Sequence, residues 1–213
     1  MTTQRIHQDQ AVAKAGLSLE EAQMAMIMIH GRGGGTQSVL PLINHFNVDG
    51  FAYLAPSAAD NTWYPNRFLA PRASNEPKLS SAIETINDLL DEIESAGIPP
   101  EKTIILGFSQ GACLSLEVAA RNPKRYGGVV ALSGGLIGAD DELISYAGSL
   151  DNTPVFLGCS DVDIHIPVER VHRSKEIMEA LGASVDERIY EGMGHTINTD
   201  EIQAVAQMMQ SLV

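Results

Sequence analysis

The stretch ILGFSQGACLS, residues 105–115, decides the fold. An apolar run ends at residue 106, GFSQG follows at residues 107–111, and residues that favour helices come directly after it. A serine between two glycines, where a buried strand turns straight into a helix, is typical of a nucleophile elbow. The turn exposes the serine oxygen at the carboxyl end of the sheet, and the helix N-terminus stabilises negative charge there. We therefore predict that Ser109 is a nucleophile; the alternative is a glycine-rich turn with a bystander serine.

The rest of the chain alternates between strand-like and helix-like segments. The apolar runs are short and continuous, as in parallel strands covered on both faces, and they cover residues 25–29, 51–55, 103–108, 129–132, 155–159 and 185–190. Between most of them lie amphipathic segments with apolar residues three or four positions apart, at residues 79–96, 168–181 and 199–212. This alternation predicts one α/β domain, residues 1–213, with a mostly parallel sheet. The longest irregular stretch, residues 57–77, is long enough to suggest a functional loop.

Composition limits the partners and the compartment. The chain has 213 residues and a formal charge of -13, which disfavours nucleic acid and anionic membrane surfaces as partners. No apolar run approaches the roughly 20 residues of a membrane span, and the first ten residues lack the apolar core of a signal peptide. Cys113 and Cys159 have no metal-like spacing and are interpreted as buried free thiols of a reducing compartment. A cytoplasmic protein without a bound metal is the expectation.

A serine nucleophile needs a histidine base, and in hydrolases of this type the order is serine, acid, histidine. Of the three histidines that follow Ser109, His172 lies within a predicted helix and His165 lies in a loop. His195 lies in EGMGHTI, a glycine-bordered loop after the last predicted strand, which can fold back over the sheet edge. We predict His195 as the base; the alternative for His195 is a solvated loop residue.

The acid should follow a strand between the serine and the histidine. VFLGCSDVDIHIP, residues 155–167, offers Asp161 and Asp163 directly after a predicted strand. Both lie at the carboxyl end of that strand, so their position does not separate them. One is expected to orient the histidine and the other to form a turn.

Acyl transfer also requires an oxyanion hole, made of two backbone N–H groups that stabilise the tetrahedral intermediate. One comes from the residue after the nucleophile, which is Gln110, and the other from a loop after an earlier strand. HGRGGG, residues 30–35, fits that loop because its glycines let backbone amides approach a ligand. A phosphate or dinucleotide site is the alternative, but neither GxGxxG nor GxxxxGK[ST] is present in this stretch.

Four blocks of the sequence, HGRGGG, GFSQGA, SDVDIHIP and GMGHTI, together with NTWYPNRF, resemble the phospholipase/carboxylesterase family of small serine α/β-hydrolases, which are relatives of acyl-protein thioesterases. The resemblance implies an α/β-hydrolase fold with little or no lid. It also implies that Ser109 and His195 are catalytic, that Asp163 rather than Asp161 is the acid, and that the Arg32 and Gln110 amides form the oxyanion hole. Many relatives have proline at position 164 and a small apolar residue at 165, where this chain has Ile and His, so the shape and polarity of the nearby pocket differ.

The prediction is a carboxylesterase that cleaves small, short-chain esters without a cofactor or metal. In the loop 57–77 we expect Trp63 and Tyr64 to form the wall of the acyl or alcohol pocket, and Arg32, Arg67 and His165 to supply polar contacts at its rim. The charge of -13 disfavours anionic substrates, although the local arginines could offset this for a small carboxylate-bearing ester. The alternatives are a thioesterase or lysophospholipase with the same triad, and a non-catalytic ligand-binding protein. The sequence leaves open whether the protein forms a homodimer.

Overall fold

The computed structural model describes residues 5–143 and 146–213. Within these residues a seven-stranded sheet forms, with the strands β1 (Val12–Gly16), β2 (Met24–Ile29), β3 (Phe51–Pro56), β4 (Thr103–Phe108), β5 (Gly128–Leu132), β6 (Pro154–Ser160) and β7 (Ser184–Tyr190). The helices are α1 (Ile43–Phe46), α2 (Lys78–Ser95), α3 (Gln110–Arg121), α4 (Val168–Ala180) and α5 (Thr199–Gln210). The strand order is β1-β3-β2-β4-β5-β6-β7, in which β1 alone runs antiparallel to its neighbour.

The mostly parallel sheet and its flanking helices confirm the predicted α/β-hydrolase fold. The six predicted strands and the three predicted long helices all form, with ends that move by one or two residues. The strand β1 was not predicted. Its residues are exposed or half-buried, so its sequence lacks a continuous apolar run, and it is defined by its antiparallel pairing with β3.

Both faces of the sheet are covered, which explains why its central strands are apolar throughout. All six residues of β2 are buried, and alternate side chains contribute to two separate apolar clusters. Ile27 packs in the cluster that includes residues of α2, α3 and α4. Met26 packs on the other face, in the cluster that includes residues of α1 and α5. The carboxyl ends of the parallel strands therefore remain as the edge from which loops can form a site.

The helix α5 begins with a reciprocal cap that holds a carboxyl group inside the protein. Asn198 Oδ1 accepts a hydrogen bond from Glu201 N at 2.9 Å, and Glu201 Oε2 accepts one from Asn198 N at 2.8 Å. Glu201 is fully buried against β6, and its Oε1 has no hydrogen-bond partner among the described residues. Burial raises the pKa of this carboxyl to about 7, so the proton binds more tightly in the folded protein than in the unfolded chain.

We predict that Glu201 makes the protein less stable as the pH rises. Since the folded protein holds this proton above the unfolded value of 4.5, the free energy of unfolding should fall as the pH rises from about 4.5 to about 7, and then level off. The Glu201→Gln variant keeps an oxygen for the cap but cannot ionise. In urea unfolding between pH 5 and pH 8, wild type should lose on the order of 3 kcal/mol relative to this variant. Glu179→Gln, at an exposed position, is the matched control and should follow wild type. Parallel pH curves for wild type and Glu201→Gln would contradict the prediction.

Candidate active site

The turn between β4 and α3 places Ser109 in a strained backbone conformation. Its φ of 56° and ψ of −117° lie in a region that side-chain-bearing residues rarely adopt, at a cost of about 1–3 kcal/mol. The turn persists because its surroundings hold it, including a 2.9 Å hydrogen bond from Ser109 N to Leu132 O. The Ser109 side chain consequently projects into a cleft at the carboxyl edge of the sheet.

The glycines on either side of Ser109 let the first turn of α3 pack against the sheet. A Cβ at Gly111 would lie 2.1 Å from the carbonyl oxygen of Ile29, which is far inside van der Waals contact. A Cβ at Gly107 would lie 2.1 Å from the Gly111 carbonyl oxygen. Any larger residue would therefore push the helix away from β2 and from the loop that follows it.

His195 lies between Ser109 and Asp163 in a continuous hydrogen-bonded path. Its Nε2 is 2.9 Å from Ser109 Oγ, and its Nδ1 is 2.6 Å from Asp163 Oδ2. The Asp163 side chain is fully buried, whereas the His195 side chain keeps 19% of its surface exposed. Three residues that are far apart in the sequence are thus brought together by loops after β4, β6 and β7.

Asp163 is held as a carboxylate by hydrogen bonds. Burial alone would raise the pKa of its carboxyl, but the hydrogen bond from His195 and those from the His165 and Ile166 amides outweigh burial and lower the pKa below its usual value. The negative charge favours the imidazole tautomer with the proton on Nδ1, which leaves the Nε2 lone pair facing Ser109.

The second candidate acid, Asp161, makes no hydrogen bond with His195. Its Oδ1 accepts a hydrogen bond from Gly192 N at 2.8 Å, and Ser160 Oγ accepts one from Gly194 N at 2.9 Å. Both contacts tie the loop that carries His195 to the end of β6. The sequence gives no sign that Ser160, the last residue of β6, holds this loop, because a single serine in a strand forms no distinguishing pattern.

Two backbone amides beside Ser109 are free to bind an anion. Within the described part of the chain, neither Arg32 N nor Gln110 N donates a hydrogen bond. The loop that carries Arg32 comes close to the serine, because a Cβ at Gly31 would lie 3.2 Å from Ser109 Cβ. The glycine at position 31 thus permits the approach that an oxyanion hole requires.

A buried histidine fixes the loop that carries Arg32. His30 Nε2 accepts a hydrogen bond from Ala58 N at 3.1 Å, so Nδ1 bears the proton and donates to the Gly31 carbonyl at 2.8 Å. Burial lowers the pKa of His30, and the neutral ring suits one donor and one acceptor. His30 is the first residue of the HGRGGG motif, but its role in holding that loop depends on contacts that the sequence does not reveal.

The side chains of Arg32 and Gln110 hold the loop 57–77 against the site. Gln110 Oε1 accepts from Trp63 N at 2.9 Å, and its Nε2 donates to the Tyr64 carbonyl at 2.8 Å. The Arg32 guanidinium donates to the carbonyls of Pro65 and Asn66 at 2.9 and 2.6 Å. The loop is therefore fastened at consecutive residues beside the nucleophile.

The cleft has a buried apolar floor and an exposed polar rim. Its volume is about 580 Å³, and its lining includes the apolar side chains of Tyr64, Phe68, Phe108 and Ile166. At the rim lie Arg32, Arg67 and His165, all exposed. The His165 and Phe108 rings contact the His195 ring, with centroids 4.8 and 5.1 Å away, so two ring contacts restrict the imidazole.

Trp63 lies behind the cleft rather than in its wall. It is fully buried, and its indole N–H donates to the His30 carbonyl at 2.9 Å. Trp63 does not line the cleft, so the structure does not bring it to the position expected from the aromatic cluster in the sequence. Tyr64, Arg67, Arg32 and His165 do line the cleft. The indole instead packs against the rings of both His7 and His30, with centroids 5.4 and 5.1 Å away, and supports the loop.

No group of three metal-binding side chains is found among the residues that the structure describes. Both cysteines are buried free thiols, and burial raises the pKa of Cys113, which borders the cleft, to about 11. In the described part of the chain no helix is both long and apolar enough to cross a membrane.

Comparison with known proteins shows a family match over nearly the whole chain. The family model described as phospholipase/carboxylesterase matches residues 14–213. A crystal structure of a phospholipase/carboxylesterase from Dyadobacter fermentans is 39% identical, covers 98% of this chain and 100% of that chain, and superimposes with a TM-score of 0.91.

Two curated relatives are more distant. Acyl-protein thioesterase 1 of Kluyveromyces lactis is 34% identical over 62% of this chain, and the match spans 59% of that protein's own length. A probable carboxylesterase from Oryza sativa subsp. japonica is 24% identical over 87% of this chain and 76% of its own length.

Proposed function

The chain belongs to the phospholipase/carboxylesterase family, a family of carboxylic ester hydrolases, and we propose on that premise that it is a serine esterase. Ser109 is the nucleophile, His195 the general base and Asp163 the acid that orients it. The observation that carries this proposal is the continuous path from Ser109 Oγ through His195 to Asp163 Oδ2, with distances of 2.9 and 2.6 Å. Both distances are within the reach that proton transfer and imidazole orientation require.

In the acylation half of the reaction, His195 Nε2 accepts the proton of Ser109 as Oγ attacks the ester carbonyl carbon. The carbonyl oxygen becomes an oxyanion, which accepts hydrogen bonds from Arg32 N and Gln110 N. His195 then donates its proton to the departing alcohol oxygen, and the C–O bond breaks. An acyl ester on Ser109 remains.

Deacylation repeats these steps with water as the nucleophile. His195 accepts a proton from water as its oxygen attacks the acyl carbon, and the same two amides stabilise the second oxyanion. His195 returns the proton to Ser109 Oγ, and the carboxylic acid leaves. Asp163 stays ionised throughout and stabilises the imidazolium in both halves.

A non-catalytic binding protein on this fold has no need for the arrangement around Ser109. Binding alone requires neither the strained backbone at Ser109 nor a buried carboxylate aimed at His195. A thioesterase is a stronger alternative than a binding protein. The same residues would cleave a thioester by the same steps, and a relative is named an acyl-protein thioesterase. We therefore include thioesters among the substrates to be tested.

We predict that Ser109→Ala abolishes ester hydrolysis. The variant lacks the only atom that attacks the substrate, so kcat/KM for 4-nitrophenyl acetate should fall roughly 10⁴-fold or more. The far-UV circular dichroism spectrum should match wild type. A fluorophosphonate probe should label wild type at Ser109 and leave the variant unlabelled. Activity within tenfold of wild type in the folded variant would refute the mechanism.

The two aspartates should differ sharply when each is replaced by asparagine. Asn at 163 keeps an oxygen for the His165 and Ile166 amides, but its NH₂ group faces His195 Nδ1 and favours the wrong tautomer. We predict a loss in kcat of roughly 10³–10⁴-fold for Asp163→Asn. Asp161→Asn is the matched control, since its oxygen still accepts from Gly192 N, and it should stay within about tenfold of wild type. The reverse ranking would assign the orienting role to Asp161.

Short acyl chains should be preferred over long ones. Each methylene that reaches the apolar floor gains up to about 0.8 kcal/mol, but a longer chain must leave the floor past the polar rim of Arg67 and His165. In a series of 4-nitrophenyl esters, kcat/KM should peak between about C2 and C6 and fall by C12–C16. S-acyl analogues of the same lengths test thioester cleavage. A steady rise up to C16 would contradict this model of the cleft.

A further inference from the structure

Most cationic side chains of this acidic protein are neutralised by a neighbouring carboxylate. The chain has 27 Asp and Glu residues and 14 Lys and Arg residues. Ten of those 14 lie within 4.0 Å of a carboxylate in the described residues: Arg5, Lys14, Arg72, Lys78, Arg121, Lys124, Arg170, Arg173, Lys175 and Arg188. A cation that has no such partner is therefore the exception in this molecule.

Two of the four exceptions line the cleft. Lys102 donates to the Leu212 carbonyl, and Arg125 donates to the carbonyls of Asp151 and Asn152, both away from the cleft. Arg32 and Arg67 border the cleft together with Ser109. No Asp or Glu is found among the described residues that line it, and the carboxylate of Asp163 is buried and paired with His195.

The two guanidinium groups differ in how much of their hydrogen-bonding capacity is used. Arg32 is fixed, since it donates to two backbone carbonyls and lies over the Tyr64 ring, with 5.9 Å from its Cζ to the ring centroid. Arg67 makes no side-chain hydrogen bond or ion pair with any residue whose position the structure gives. Its five N–H donors are available to a ligand, and the planar group matches a carboxylate in two-point geometry.

We propose that the substrate of this esterase is a small ester that bears a carboxylate, which Arg67 binds while Ser109 attacks the ester carbonyl. The inference rests on the proposed esterase function. A neutral ester needs no unpaired guanidinium beside the nucleophile, whereas an anionic ester must overcome the net charge of -13 and gains from a cleft that is locally positive. Arg32 adds a second, immobile positive charge at the same rim.

The test compares charged and neutral esters of matched shape. The acyl-side pair is mono-4-nitrophenyl glutarate and 4-nitrophenyl pentanoate, and the alcohol-side pair is 4-carboxyphenyl acetate and 4-carbamoylphenyl acetate. At low ionic strength, kcat/KM of wild type should favour the charged member of at least one pair by about tenfold, and the pair that does so identifies the side that bears the carboxylate. The preference for the charged ester should shrink in about 0.5 M salt, because this concentration screens the attraction between charges more than a few ångströms apart.

The Arg67→Gln variant isolates the guanidinium. The ratio of charged to neutral kcat/KM should fall by about five- to tenfold, and Arg67→Lys should retain part of it, because a lysine keeps the charge but not the two-point geometry. Arg125→Gln is the matched control: it changes the net charge equally, lies away from the cleft, and should keep the wild-type ratio. Comparing ratios between variants cancels the intrinsic reactivity of each ester.

Protection of Ser109 from labelling adds a readout that does not depend on ester turnover. Glutarate should slow fluorophosphonate labelling of Ser109 more strongly than glutaramide at equal concentration, and Arg67→Gln should lose that difference. Hydrolysis of the neutral esters with no charged preference, or an equal ratio in wild type and Arg67→Gln, would overturn this proposal and leave the esterase intact. Failure to label Ser109 or to hydrolyse either member of a pair would overturn both.

Discussion

The close approach of α3 to the end of β2 is the constraint on which the site depends. Only Ser109 separates the end of β4 from the start of α3, which is possible because positions 107 and 111 have no side chain. A Cβ at Gly111 would lie 2.1 Å from the Ile29 carbonyl oxygen. That approach places the N-terminus of α3 beside the loop after β2, which also comes close to Ser109, because a Cβ at Gly31 would lie 3.2 Å from Ser109 Cβ. The strain at Ser109 is the energetic cost of this geometry, and packing on both faces of the sheet maintains it.

Most of the fold could be predicted from the sequence because its information is local. Parallel strands buried on both faces form continuous apolar runs, and long surface helices repeat every three to four residues, so six strands and three helices were identified with small errors at their ends. The edge strand Val12–Gly16 was missed for the converse reason. It is half-exposed, and its pairing with β3 between residues 12 and 56 at one end and 16 and 52 at the other depends on a tertiary contact that no local pattern encodes.

The candidate site was predictable as a set of residue types and less so as a set of contacts. Ser109 and His195 follow from their motifs and from the order of the strands, but residue patterns alone left two aspartates, which family resemblance then separated. The structural reason is that the loop 191–198 uses both: Asp161 binds the Gly192 amide and Asp163 binds the imidazole. The aromatic cluster in the loop 57–77 was misleading at Trp63, because an aromatic near a site can equally form the support behind it. The two buried histidines that pack against Trp63 come from distant parts of the chain.

Arg32 and Gln110 connect the chemical centre to the loop that shapes the cleft. We propose that their backbone amides stabilise the oxyanion, and their side chains hold the backbone of residues 63–66 through four hydrogen bonds. The rim position of Arg67 is therefore set by the same two residues that we propose to stabilise the oxyanion. A substrate that binds the Arg67 guanidinium is therefore held by a segment that is fixed beside the nucleophile. Binding at the rim would in this way help to align the ester carbonyl carbon with Ser109 Oγ. Selectivity for a charged ester and catalysis at Ser109 would then depend on one rigid unit, because a shift of the loop would also displace the side chains attached to the two amides.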